Sequence, residues 1–222
     1  MALSDTAIRE RIQSGTIVID PLKDKHLGTS SYDVSLGPWF FREQKPQNMR
    51  VYNVYNPRHT EQVWGKEPEY APYTQDALEE VEFVGIAPDD RVILIEPGET
   101  ILAHTEEFIG GKDHITTMMK ARSSMGRNFL EVCKCAGWGD VGYVNRWTME
   151  ITNNSRYYSI PLVVGRRIAQ IIFFDVGEIE SQDYTATGKY QTTPDLEDIK
   201  ANWSPQMMVP KMYNDREIFE ED

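Results

Sequence analysis

From Arg91 to Val176 the chain is a succession of short β-branched and aromatic runs cut by turn residues, and this pattern limits the fold more than any other feature. R-V-I-L-I-E is followed by the turn E-P-G-E, then T-I-L-A-H-T-E-E-F, H-I-T-T-M-M-K-A, N-F-L-E-V-C-K-C-A, R-W-T-M-E-I-T-N, Y-Y-S-I-P-L-V-V and R-I-A-Q-I-I-F-F-D-V. Turn signals every ~8–12 residues with hardly any helical periodicity specify an all-β sandwich or barrel. V-E-F-V-G-I, residues 81–86, reads as one more strand. No strand–helix alternation, no G-x-x-x-x-G-K-[ST] and no internal repeat is present, so a Rossmann or P-loop arrangement is not expected.

The first forty residues add a helix and two strands. S-D-T-A-I-R-E-R-I-Q-S, residues 4–14, predicts a short helix capped by Ser4, stapled by Leu3 and Ile8 and stopped by Gly15. T-I-V-I-D-P is a strand ended by proline, and S-S-Y-D-V-S-L-G puts Tyr32, Val34 and Leu36 on one face of a second. Residues 42–80 are rich in Asn, Pro, Gln and Tyr and read as an insertion with one hairpin around V-Y-N-V-Y, either a surface excursion or a lid or subunit contact. The chain thus divides into a domain over 1–191, carrying the insertion, and an acidic tail over 192–222. That tail is either loosely ordered or docked through Trp203, Met207 and Met208.

A net charge of -12 argues against a nucleic-acid polymer as partner, since such proteins present a basic face, but not against a single nucleotide. No apolar run reaches transmembrane length, and M-A-L-S-D-T lacks the layout of a signal peptide. Cys133 and Cys135, one residue apart, form no disulfide framework, and a reducing cytoplasm is the expected compartment.

Chemistry-bearing residues concentrate between Lys120 and Asn153. Arg122, Ser123, Ser124 and Arg127 form a turn in which guanidinium forks, serine hydroxyls and free N–H groups suit phosphate oxygens; the ordinary alternative is a pair of N-cap serines beside solvated arginines. Asp140 lies in G-W-G-D-V-G-Y, where flanking glycines permit close backbone approach and the carboxylate suits a sugar hydroxyl. Tyr143 and Trp138 offer flat faces to a ring. In W-T-M-E-I-T, Glu150 shares a face with Thr148 and Thr152, opposite Met149 and Ile151. A pocket there would raise its pKa toward the proton-shuttling range; a solvated edge strand would leave it inert. Zinc deaminases hold water with H-x-E and P-C-x-x-C, whereas this chain has C-x-C and scattered histidines (His26, His59, His104, His114), so zinc is disfavoured.

Taken together, these segments resemble the dCTP deaminase branch of the dUTPase-like superfamily over residues 1–40 and 81–191. L-S-D-T-A-I-R-E-R-I-Q-S-G-T-I-V-I-D-P is similar to that family's opening, S-S-Y-D-V-S-L-G to its S-x-D-x-R-L-G, and A-R-S-S-M-G-R to its A-R-S-S-x-x-R signature. A-G-W-G-D-V-G-Y-V-N-R-W-T-M-E-I-T-N, G-R-R-I-A-Q-I-I-F and G-K-Y-Q follow in the family's order. The resemblance implies a distorted jelly-roll, or β-clip, all-β fold assembled as a homotrimer with sites at subunit interfaces. It implies zinc-free deamination of dCTP to dUTP and ammonia. Glu150 would be the general base, with Ser123, Arg127 and the Ala136 carbonyl orienting water and charge. Arg122, Ser124 and Lys189 would hold phosphates bridged by Mg2+, with Tyr184 and Gln191 contributing from the closing C-terminal segment. Asp140 would bind the sugar 3′-hydroxyl, and Tyr143, Thr148 and Met149 would line the nucleoside pocket. dCTP or dUTP is the implied ligand, with dTTP a candidate inhibitor.

The departures are G-D-V-G where the family reads I-D-P-G or I-D-A-G, and K-Y-Q-T-T where many members read K-Y-Q-G-Q, so Thr193 replaces a phosphate-contacting glutamine. A-G-W at 136–138 is similar to members that also split dUTP to dUMP and diphosphate. The readings to be weighed are therefore a deaminase, a bifunctional deaminase and diphosphatase, a dUTPase alone, and a non-catalytic nucleotide-binding regulator.

Overall fold

A computed structural model describes residues 1–46, 48–78, 83–180, 184–191 and 193–215. In chain order the regular elements are α1 (Asp5–Ser14), β1 (Ile17–Asp20), β2 (Tyr32–Arg42), α2 (Pro57–Trp64), β3 (Glu69–Tyr70), α3 (Thr74–Ala77), β4 (Val92–Ile95), β5 (Thr100–Gly111), β6 (Ile115–Ala121), α4 (Ser123–Arg127), β7 (Leu130–Val132), β8 (Trp138–Gly139), β9 (Val144–Asn153), β10 (Ile160–Val163), β11 (Arg167–Asp175), α5 (Tyr184–Thr187) and α6 (Leu196–Asn202).

The strands pair antiparallel throughout. The main sheet runs β7-β9-β5-β2-β11-β6-β8, with β1 added to β5 and β3 to β2, and β4 pairs β10 separately. Its spine is β5, which lies against β9 from Thr100↔Thr152 to Gly110↔Val144. The other edge of β5 meets β2 in its first half and β1 in its second. This curled arrangement is the all-β class expected from the strand pattern.

Period-two burial explains why each run becomes a strand. Tyr32, Val34 and Leu36 are buried together with Ile101, Ala103 and Ile109 of β5, Met149 and Ile151 of β9, and Ile171 and Phe173 of β11. Each such side chain removed from water contributes about 1.5–3 kcal/mol. Trp147 is pinned in the same core by donating its indole N–H to the Ile109 carbonyl at 2.9 Å. The opening helix is capped as expected: the Ser4 hydroxyl accepts the Ala7 N–H, and Gly15 ends the helix in the left-handed region. Leu3 donates its N–H to Phe173, which fixes α1 against β11.

Four local expectations are corrected. Within V-E-F-V-G-I, residues 81 and 82 lie outside the described residues; Phe83–Ile86 is a turn closed by the Ile86 N–H to the Phe83 carbonyl, with Val84 fully exposed, because no strand offers it a ladder. The V-Y-N-V-Y segment forms no hairpin. It leads instead into α2, where the Asn56 side chain accepts the Arg58 N–H and Pro57 begins the helix. The strand predicted over 128–136 stops at Val132, because Cys133 and Lys134 adopt positive φ (62° and 40°) and turn the chain. Arg122, not a serine, occupies the N-cap of α4, with no side-chain capping bond.

The tail is docked. The Asp195 carboxylate caps α6, and Ile199 packs on Phe108 and Val144 beside Trp203. The Arg146 guanidinium lies 4.8 Å from the Phe108 ring and 4.6 Å from that of Trp203. Met208 is buried on Phe41 and Leu102, flanked by Trp39 and by Trp64 of α2. The insertion and the tail therefore meet each other over one face of the sheet. Cys133 is buried and Cys135 exposed, and both are free thiols.

Candidate active site

A cavity of about 530 Å³ opens on the face of β9 that carries Thr148 and Glu150. Strand alternation sends those two side chains into it and sends Met149 and Ile151 into the core. Of the residues expected at the site, the cavity brings together Glu150, Ala136, Asp140, Tyr143, Thr148 and Tyr184. Met149 does not line it, since its side chain is fully buried on the opposite face.

Glu150 is not on an edge. At its position β9 is flanked by β5, where Leu102 is its cross-strand partner, and by β7, where Val132 pairs with neighbouring Ile151. Burial raises its carboxyl pKa above the usual glutamate value, against smaller lowering contributions from its own backbone N–H and from the Lys134 ammonium. Lys134 reaches the cavity because the positive-φ turn after β7 swings it there. The Cys133 N–H donates to the Glu150 carbonyl at 3.0 Å, which ties that turn to the glutamate's own strand.

Aromatic rings form the opposite side. Tyr143 packs edge-on against Trp147 and Tyr184, with centroids 5.4 and 5.0 Å away, and burial raises the pKa of its hydroxyl. Asp140 is exposed at the rim. The glycine before it serves packing, not ligand approach: a Cβ at Gly139 would lie 2.4 Å from the Trp147 ring and 2.4 Å from the Thr117 hydroxyl.

The remaining expected residues sit elsewhere in the single chain. Ser123, Ser124 and Arg127 are exposed on α4, outside the cavity lining. The Arg122 Nε is 3.2 Å from the Asp33 carboxylate, which also binds Arg167 at 3.0 Å. Lys189 is ion-paired with Asp215. Gln191 is buried with its amide fully used: Oε1 accepts the Val144 N–H at 2.8 Å, and Nε2 donates to the Gly142 and Thr193 carbonyls at 3.0 Å each. In this arrangement Gln191 staples the K-Y-Q segment to the start of β9.

Sequence reasoning missed a whole wall. Trp64 from the insertion, Leu102 from β5, and Met208 and Pro210 from the tail all line the cavity. Leu102 follows once the register that places it opposite Glu150 is known; Met208 was expected only as a docking residue of the tail, and Trp64 carries no local signal. The Trp64 indole N–H is buried with no acceptor among the described residues. The site is thus a half-buried carboxylate between a cation, a set of rings and an apolar cover, an arrangement able to hold a planar polar ring and move a proton.

No helix among the described residues is long and apolar enough to cross a membrane. Residues 2–176 match the model of the family described as dCTP deaminase-like. A protein of Persephonella marina described as "dCTP deaminase, dUMP-forming" is 33% identical over 192 residues, covering 86% of this chain and 92% of that one. A protein of Methanobrevibacter smithii with the same description is 31% identical, covering 77% and 78%. Among solved structures, the 2'-deoxycytidine 5'-triphosphate deaminase of Agrobacterium tumefaciens superposes with a TM-score of 0.53 at 18% identity, over 79% of this chain and 48% of that chain, a likeness of fold. By the extent of the family match and by these identities, the chain belongs to the dCTP deaminase-like family.

Proposed function

We propose that this chain is a dCTP deaminase that continues to dUMP, with Glu150 as the general base of the deamination. The observation that carries the reading is the placement of Glu150: partly desolvated, pKa raised, between Lys134 and a ring-lined wall. Ionised Glu150 takes a proton from water as the oxygen bonds to C4 of cytosine. The proton is then passed to the departing amino group, the C4–N bond breaks and ammonia leaves, while the remaining hydroxyl proton moves to N3 to give the uracil nucleotide. The Ala136 carbonyl, on the same cavity, is the acceptor that would hold the water. Thr148 and Tyr143 would flank the base, and Asp140 at the rim would take the sugar 3′-hydroxyl.

Ser123 and Arg127 are exposed and outside this chain's own cavity, which favours a site completed by α4 of a second copy in a homotrimer. Ser123 would orient the water and Arg127 the developing charge, while Arg122, Ser124 and Lys189 would hold phosphates. Mg2+ would be carried on the phosphate oxygens and neutralise their charge.

The second step, dUTP to dUMP and diphosphate, is favoured over simple release of dUTP. Relatives spanning most of this chain are described as dUMP-forming, and the A-G-W segment resembles that of members with both activities. Incubation with dCTP and Mg2+ followed by product identification decides: ammonia with dUMP supports the reading, and ammonia with dUTP removes the second step. Diphosphate released from dUTP alone, or binding with no product, would overturn deamination. Glu150→Gln keeps shape and removes the base, so turnover should vanish while nucleotide affinity stays within about tenfold. Unaltered turnover would take Glu150 out of the mechanism.

A further inference from the structure

A second cavity, of about 190 Å³, shares Tyr190 with the first. Its lining includes two lysines, Lys189 from the K-Y-Q segment and Lys211 from the tail, together with Asn145, Asn202 and Asp198. The tail lies beyond the family-matched residues, and its docking through Ile199, Trp203 and Met208 is what returns Lys211 to this place. The contacts are specific. The Lys211 N–H donates to the Tyr190 hydroxyl at 3.1 Å, its ammonium donates to the Lys189 carbonyl at 3.4 Å, and it stands 5.3 Å from the Tyr190 ring centroid.

The two cations differ in how they are compensated. Lys189 is ion-paired with the Asp215 carboxylate, itself delivered by the tail. Lys211 is partly buried, which disfavours its charge, and among the described residues it has no carboxylate partner. The Asp198 carboxylate is on an exposed rim, where solvent screens it. A cation placed this way is unfavourable in the free chain and becomes favourable when an anion enters beside it.

Resting on the nucleotide reading above, we propose that Lys211 is a polyphosphate-binding residue. It would act with Lys189 at the end of the site remote from Glu150, while Asp215 occupies Lys189 until phosphate displaces it. Lys211 then supplies from the tail the contact that K-Y-Q-T-T lacks, where Thr193 stands in place of a glutamine. A charge-assisted contact of this kind contributes roughly ten- to hundredfold in affinity.

The test is calorimetric titration of dCTP, inorganic tripolyphosphate and deoxycytidine into the full chain and into Lys211→Ala, Lys211→Arg and Asp215→Asn. Lys211→Ala should weaken dCTP and tripolyphosphate about ten- to hundredfold and leave deoxycytidine unchanged. Lys211→Arg should restore most of the loss, and Asp215→Asn should tighten both anions severalfold. Equal weakening of dCTP and deoxycytidine would mean that Lys211 only braces Tyr190, and the proposal fails. It fails too if neither anion responds to Lys211 or if neither binds. Tripolyphosphate binding that depends on Lys211, without dCTP binding, would leave the anion site standing and overturn the nucleotide reading instead.

Discussion

Met208→Ala tests whether the tail is a working wall of the active site. Its side chain is 4% exposed and lies against Phe41 and Leu102, and Leu102 is the cross-strand partner of Glu150. Truncating a buried methionine costs about 2–5 kcal/mol. Here the lower part of that range, about 2–3 kcal/mol, applies, because the void would open onto an existing cavity that water can enter. If the tail unfolds with the sheet, the melting temperature should fall by about 4–12 °C, at about 2–4 °C per kcal/mol for a chain of this size. If the tail opens separately, the melting temperature barely moves, and exchange of the Trp203 and Val209 amides should accelerate about thirtyfold or more. Both amides are bonded inside the tail, to Ile199 and Gln206.

The chemical readout is the acid limb of kcat/KM. On the proposed reading of Glu150 as general base, it must be ionised, so activity is lost as pH falls through its pKa, which burial raises. Water admitted beside Leu102 relieves that desolvation and lowers the pKa, so the limb should move to lower pH in Met208→Ala. An unmoved limb, with unchanged amide protection and melting temperature, would refute the claim that the tail shields the glutamate.

Two further outcomes follow from the packing around the sheet. The buried His104 ring donates from Nδ1 to the Thr105 carbonyl and accepts the Trp39 N–H at Nε2, and burial lowers its pKa from 6.5 to about 4. The unfolded chain therefore takes up this proton first. The residue's stability contribution is present above about pH 6.5 and is lost as pH falls toward 4, by about 3 kcal/mol in all. Urea midpoints at pH 7 and pH 5 should diverge in the parent chain and converge in His104→Gln; equal divergence in both would exclude this histidine. Gly139→Ala should destabilise by about 1–3 kcal/mol and disturb the Trp147 wall, since its Cβ would meet that ring at 2.4 Å. Thermal unfolding checks it, and a variant as stable as the parent would show that the wall yields easily.

The parts legible in sequence were those whose burial has a two-residue period and whose partners are other strands. Tyr32, Val34 and Leu36, and the alternation of Met149 and Ile151 with Thr148 and Glu150, fix which side faces the core, and the structure keeps that assignment. V-E-F-V-G-I carries the same composition yet is no strand over its described part, because a strand needs a neighbouring edge and this segment has none. Composition reports what a segment would do if paired, and pairing is a property of the whole sheet.

Docking of the tail through Trp203 and Met208 was one of the two alternatives legible in sequence, but that the insertion and the tail line the cavity was not, for the converse reason. Trp64 and Met208 sit in segments with weak periodicity, because each buries one or two side chains on a surface that the sheet supplies. Nothing local tells a tryptophan that covers a cavity from one that ornaments a loop. Once Leu102 is known to oppose Glu150, however, the requirement is set: a glutamate held away from water at the end of a broad cavity needs an apolar cover on that side. Strands of this sheet provide only part of it, through Leu102 and Trp147, because most of their apolar side chains are spent on the core. The rest must come from segments outside the strand pattern, and the poorly periodic stretches of this chain, 42–80 and the tail, hold Trp64 and Met208. Weak periodicity beside a legible active-site strand is thus itself informative, since it marks the chain available to close the site.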